Sequence, residues 1–264
     1  MKTIQAIKFD TVKAKNEALK LVGIGSMFSV GSDSKTVKGE KLGFNTAILY
    51  MLPDFEICPA SKKAGCFDVC LVSAGRGKFN SVKTARHNKT ELFKTDKGLF
   101  FGALIVEIEK LQKKFGKTLA IRLNGTSDIR FEEFLISYNG KEENIFNHFP
   151  NVQFYDYTKL PKRINMFLPD NYDLTLSYSG ARPSYSKEVL ETVKDTGVRF
   201  AVVFDSKELP ETYKGFPVVN GDDTDLRFLD KNTVCVGLVA KGEAKKDQSG
   251  FVVKVAGKNL INIS

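Results

Sequence analysis

The 264-residue chain is 42% hydrophobic and 27% charged, a balance typical of a globular protein able to bury a large core. No apolar run is long enough to span a bilayer, and residues 1–10 lack the continuous apolar stretch of a signal peptide, so a reducing, cytoplasmic setting is expected and a membrane partner is not. The net charge of +9 is uneven. Between Lys62 and Lys97, nine basic residues stand against three acidic ones. That favours an anionic partner, a small molecule or nucleotide, or a nucleic acid bound through the basic segment 62–97; a solvated helix face accounts for the same pattern.

Residues 1–44 are rich in Lys, Gly, Ser and Thr and read as an irregular N-terminal extension. The glycines and Lys-Thr of residues 23–36 lack the spacing of a phosphate-binding P-loop. From residue 45, short β-rich apolar runs alternate with helical patterns. Strands are expected at 45–52, 118–123, 152–157, 172–177, 198–204, 216–219 and 233–239, most of them apolar at nearly every position, as buried parallel strands are. Helices are expected at 80–94, which is basic, and at 99–115, where Phe101, Leu104, Ile105, Ile108, Leu111 and Phe115 share a face. A broken helical stretch is expected over 131–138 and 143–149, ended by Pro150, and a last helix over 185–196 after a Ser184 cap.

Repeated strand–helix units imply right-handed crossovers and a parallel sheet. Without an internal repeat or a linker, residues 45–264 read as one α/β domain, a partial or complete parallel βα barrel of TIM-like type. The alternative is a doubly wound open sheet, which usually carries a Gly-rich turn after its first strand, where this chain carries cysteines.

Cys58, Cys66 and Cys70 lie within thirteen residues directly after that strand, and the fourth cysteine, Cys235, lies far away. Three thiols crowded in one loop support three readings: a [4Fe–4S] cluster with one open iron, a zinc ion completed by His87 or Asp68, or small apolar groups that bind no metal. The intervals of seven and three residues suit a wide loop better than paired zinc turns. With only His87 and His148 in the chain, a histidine-based nuclease or cysteine hydrolase is disfavoured.

A barrel places its chemistry at the carboxyl ends of its strands. Those ends carry the cysteines, Asn124-Gly-Thr-Ser-Asp128, Asp156-Tyr-Thr-Lys159, Ser177-Tyr-Ser-Gly180, Asp205, Asn220-Gly-Asp-Asp223 and Lys241-Gly-Glu243. Asp205 and Asp223 read as turn formers; Asn124, Asp128, Lys159 and Lys241 adjoin strongly apolar strands and read as functional.

A three-cysteine loop after the first strand of a parallel barrel resembles the radical S-adenosylmethionine enzymes. With Gly75-Arg-Gly, Arg122-Leu-Asn-Gly-Thr-Ser-Asp128, Tyr155-Asp-Tyr-Thr-Lys159, Gly221-Asp-Asp-Thr-Asp-Leu-Arg-Phe and Gly237-Leu-Val-Ala-Lys-Gly242, the chain more closely resembles bacteriophage proteins of the gene-product-88 type, often described as radical-SAM-like. The resemblance implies a [4Fe–4S] cluster on Cys58, Cys66 and Cys70, with S-adenosylmethionine on the open iron. It further implies cofactor-binding roles for Asn124, Ser127, Asp128, Tyr157, Lys159, Ser177, Asp222 and Lys241. The activity it implies is radical chemistry on an anionic small molecule or nucleotide; the alternative is a basic nucleic-acid-binding phage protein with a structural metal or none.

Overall fold

The computed structural model describes residues 3–31 and 34–255; the rest of the expected extension (1–2, 32–33) and of the expected barrel region (256–264) lies outside them. The chain forms a mixed α/β fold with parallel sheet segments, in two compact units.

The first unit comprises residues 3–31, 34–58, 76–156 and 167–173. Its N-terminal part is more regular than expected. After the short strand β1 (Ile4–Gln5), helix α1 (Val12–Leu21) starts at Thr11, whose side chain accepts from the Ala14 N–H. Strand β2 (Phe28–Val30) pairs antiparallel with β3 (Asn45–Leu49), and α2 (Ser34–Glu40) lies between them in sequence. Helices α3 (Asn80–Thr95) and α4 (Lys97–Phe115) then lead to β4 (Leu119–Arg122), which pairs parallel with β3. Asp96 joins the two helices and caps the second, accepting from the Leu99 N–H at 2.8 Å. α4 is buried without interruption from Phe100 to Ile108, more completely than a one-faced helix, and Phe93, Phe100, Phe101, Phe131 and Phe134 pack mostly edge-to-face beside it.

The broken helix expected over residues 131–149 is mostly something else. Strands β5 (Ile136–Tyr138) and β6 (Lys141–Glu143) form a hairpin on which β1 pairs parallel, and the helical parts are a short 3₁₀ turn at Phe131–Glu133 and α5 (Ile145–His148). The reason is the two-residue turn: Asn139 and Gly140 both hold positive φ, 52° and 79°, the conformation that Asn-Gly supplies to a tight hairpin. The order of the main sheet here is β2-β3-β4-β7, where β7 spans Gln153–Thr158.

The second unit comprises residues 59–75, 157–166 and 174–255. It contains α6 (Pro161–Ile164), the end of β8 (Tyr172–Ser177), α7 (Pro183–Thr196), β9 (Phe200–Phe204), β10 (Thr212–Tyr213), β11 (Phe216–Asn220) and β12 (Cys235–Val239). The order is β8-β9-β12-β11-β10, parallel except for the last pair. α7 starts at Pro183 after Arg182 rather than at a Ser184 cap, because proline's fixed φ suits a first helical position. Tyr185, Val189, Val193, Phe200, Phe204 and Cys235 form the core of this unit. All seven strands expected after residue 45 are present; a closed ring of strands is not seen among the described residues.

Candidate functional site

Two places in the first unit gather polar side chains. One lies after β4. Asn124, Ser127, Asp128 and Asp156 are all buried there. The Asp156 carboxylate accepts from the Asn124 backbone N–H at 2.9 Å and from the Tyr172 hydroxyl at 3.2 Å, with Arg122 Nε 3.7 Å away. The Asn124 amide oxygen accepts from the Ser127 hydroxyl and the Ile129 N–H, both at 2.8 Å, and its amino group donates to the Ile129 carbonyl. Asn124 and Ser127 therefore fasten their own turn, a role that leaves little of Asn124 for a ligand. Cys58 is held against the same turn. Its thiol faces the Thr126 carbonyl at 3.8 Å, and the Asp128 N–H donates to the Ile57 carbonyl at 2.8 Å.

The other candidates lie in the second unit. Cys66 turns its thiol to the Ser61 carbonyl at 3.7 Å and packs with Ala240, Phe251 and Val252; Cys70 is half-buried and precedes the turn of Leu71–Ser73. Tyr157 packs against Ala201, Val234 and Val236. The Lys159 ammonium lies over the Phe251 ring, 5.7 Å from its centre. The Ser177 carbonyl accepts from the Tyr185 hydroxyl at 2.7 Å. Asp222 and Lys241 meet each other, 2.7 Å apart, and Asp222 also accepts from the Val239 N–H. Cys235 lies in the apolar core, and burial pushes its thiol pKa up to about 12, which keeps it protonated and inert.

Among the described residues, no group of three or more His, Cys, Asp or Glu side chains is gathered as a metal site needs. Of the residues expected to complete a zinc site, His87 is exposed on α3 and Asp68 is exposed in the cysteine loop; His148 pairs with Glu143 at 3.3 Å and packs on Tyr138.

The second gathering place in the first unit was legible in the sequence only as charge. A cleft of about 300 Å³ is lined by Ser29, Tyr50, Arg76, Ser81, Val82, Ala85, Arg86 and Lys89. α3 supplies most of that wall because Ser81, Val82, Ala85, Arg86 and Lys89 recur at helical spacing. The Arg86 guanidinium lies over the Tyr50 ring, 4.7 Å from its centre. Lys89 is only 7% exposed and donates to the Met27 carbonyl at 2.9 Å. Burial lowers its pKa to about 8, against the pull of the nearby Glu107 carboxylate and with a smaller push from Arg86.

The structure also sorts the basic segment. Lys63 pairs with Glu188, Lys94 pairs with Asp54, and Lys97 covers the Phe93 ring. Arg76, Arg86 and Lys89 line the cleft, and Lys78 and Lys83 are exposed on the same stretch of chain.

The family described as Gene product 88 matches residues 26–255. The chain belongs to the Gene product 88 family. The matched span holds every residue of the cleft, all four cysteines and every strand-end candidate. The family part of the resemblance is thereby borne out. No match was found to a curated protein or to a solved structure. Among the described residues, no helix is long and apolar enough to cross a membrane.

Proposed function

We propose that this Gene product 88 protein binds a phosphate-bearing ligand, a nucleotide or nucleic acid, in the α3 cleft. The observation that carries this reading is the convergence of Arg76, Arg86 and Lys89 on one cleft of about 300 Å³ beside an aromatic ring. Cations hold phosphate oxygens through charge-assisted hydrogen bonds, with least competition from water at the buried Lys89, while Ser29 and Ser81 add hydroxyl donors. No group in the cleft is assigned to bond breaking, so the reading is one of binding.

The test is a titration with a fluorescent adenine nucleotide and a labelled oligonucleotide over a range of salt. Binding that weakens steeply with salt, and about tenfold in Arg76→Gln, is expected. Affinity indifferent to both salt and Arg76→Gln overturns the reading.

A second reading belongs to the cysteines. It is favoured by the contact of Cys58 with the turn that carries Asn124, Ser127 and Asp128, the residues assigned to cofactor on resemblance. It would take a [4Fe–4S] cluster on Cys58, Cys66 and Cys70, with S-adenosylmethionine and the radical chemistry it supplies. The described side chains do not fit that group as they stand, since no ligand set is gathered, and no reaction step is derived through it.

A further inference from the structure

We infer that the ligand of the α3 cleft is single-stranded nucleic acid, and that Phe79 is the platform on which one of its bases stacks. This rests on the anion-binding reading above and adds a partner class to it.

Phe79 immediately precedes α3 and is 62% exposed. Among the described residues, no ring or cation packs on it, although the first unit elsewhere binds its phenylalanines into ring clusters. Its place is set by the helix: the Lys83 N–H donates to the Phe79 carbonyl at 3.0 Å, fixing Phe79 one turn below Lys83. Val82 and Arg86 follow Phe79 by three and seven residues, and both line the cleft. The ring stands at the N-terminal end of the helix whose Val82 and Arg86 line the cleft.

Charge surrounds this ring. Arg76 and Lys78 precede it and Lys83 follows, all exposed, with no acidic residue between Cys70 and Glu91. An exposed aromatic set among cations is the arrangement that holds single strands: the cations follow the phosphates, and the ring takes the face of an unpaired base. A duplex offers phosphates but keeps its base faces stacked inside, and inorganic polyphosphate has no base. A purely electrostatic site would make no use of Phe79.

The experiment uses the full chain and fluorescence anisotropy with a labelled oligothymidylate of about 12 nucleotides, within the range one such surface covers. Unlabelled duplex and inorganic polyphosphate serve as competitors. Phe79→Ala is expected to weaken oligothymidylate binding about tenfold, Phe79→Tyr to preserve it, and polyphosphate binding to stay unchanged in both. Equal loss of oligothymidylate and polyphosphate in Phe79→Ala, no loss in either, or a preference for duplex overturns the stacking assignment while leaving the anion site standing. Failure of every polyanion to bind the wild-type chain overturns both.

Discussion

Lys15 Nζ lies 2.6 Å from Glu107 Oε1, with both side chains buried, although the residues are 92 positions apart. The Glu107 carboxylate also accepts from the Ser26 hydroxyl and from the backbone N–H groups of Met27 and Phe28. One carboxylate on α4 thus fastens α1 and the start of β2. Met27 continues the chain of contacts, because its carbonyl receives Lys89 from the cleft wall. The floor of the cleft is therefore tied to the charge that organises the N-terminal segment.

That arrangement predicts an asymmetry. Glu107→Gln removes the counter-charge of a buried ammonium and weakens the acceptor for several donors at once, at a cost of about 3–5 kcal/mol. Lys15→Met leaves the carboxylate still hydrogen-bonded by Ser26, Met27 and Phe28, and should cost less. Urea unfolding followed by circular dichroism should show a larger fall in midpoint for Glu107→Gln than for Lys15→Met. Equal or reversed falls would mean that the carboxylate does not organise this region.

Lys89 makes ligand binding depend on pH. Glu107, Arg86 and, through its pairing with Glu107, Lys15 are the charged groups around it. Its folded pKa of about 8 lies below the ordinary 10.5, so the ammonium is present at pH 7 and lost as pH rises through about 8. Phosphate affinity should fall over that interval. Lys89→Gln should bind more weakly at pH 7 and change little from there to about pH 9. The stability effect has the opposite sense: below about 8 the fold holds a charge that burial disfavours, and between about 8 and 10.5 the unfolded chain binds the extra proton, so ligand-free stability gains from Lys89 as pH rises. Binding isotherms and urea midpoints measured at matched pH values check both signs.

The strands after residue 45 were legible because burial on both faces writes itself locally as apolar runs, and each such run from residue 45 to 239 is a strand. What escaped depends on partners or on single turns. β1 and β2 have two and three residues and exist because β5 and β3 pair with them. The hairpin at 136–143 lies where a broken helix is expected, although Asn139-Gly140 signals a tight turn. The polar run after β4 was visible, but not that Asn124 spends its amide on its own turn. For the cleft, sequence showed the sign of the charge and not its place, since Ser29, Tyr50 and the α3 residues meet only after folding.

The cysteines give a separate prediction. If Cys58, Cys66 and Cys70 hold a cluster, protein purified without oxygen carries about four irons and four sulfides per chain. Cys66→Ala then loses the metal and Cys235→Ala keeps it, because Cys235 lies in the apolar core with its thiol protonated. Equal metal content in wild type and Cys66→Ala removes the cluster reading and leaves the anion cleft untouched.

Gly125 links the two polar regions of the first unit. A Cβ there would stand 2.6 Å from Ile48 Cγ2, 2.8 Å from the Leu49 carbonyl oxygen and 2.8 Å from the Tyr50 ring. The Gly125 N–H donates to that same Leu49 carbonyl at 3.1 Å, so the strand end cannot withdraw without losing the bond. Tyr50 can move, and it lines the cleft beneath Arg86. Gly125→Ala should therefore cost about 1–3 kcal/mol of stability and weaken phosphate binding, although residue 125 itself does not line the cleft. Its effect on affinity should largely disappear when Tyr50 is already alanine, because the displaced ring is then absent. A double-mutant cycle on Gly125 and Tyr50 measures this coupling, and additive losses in affinity would show that the strand end and the cleft are independent.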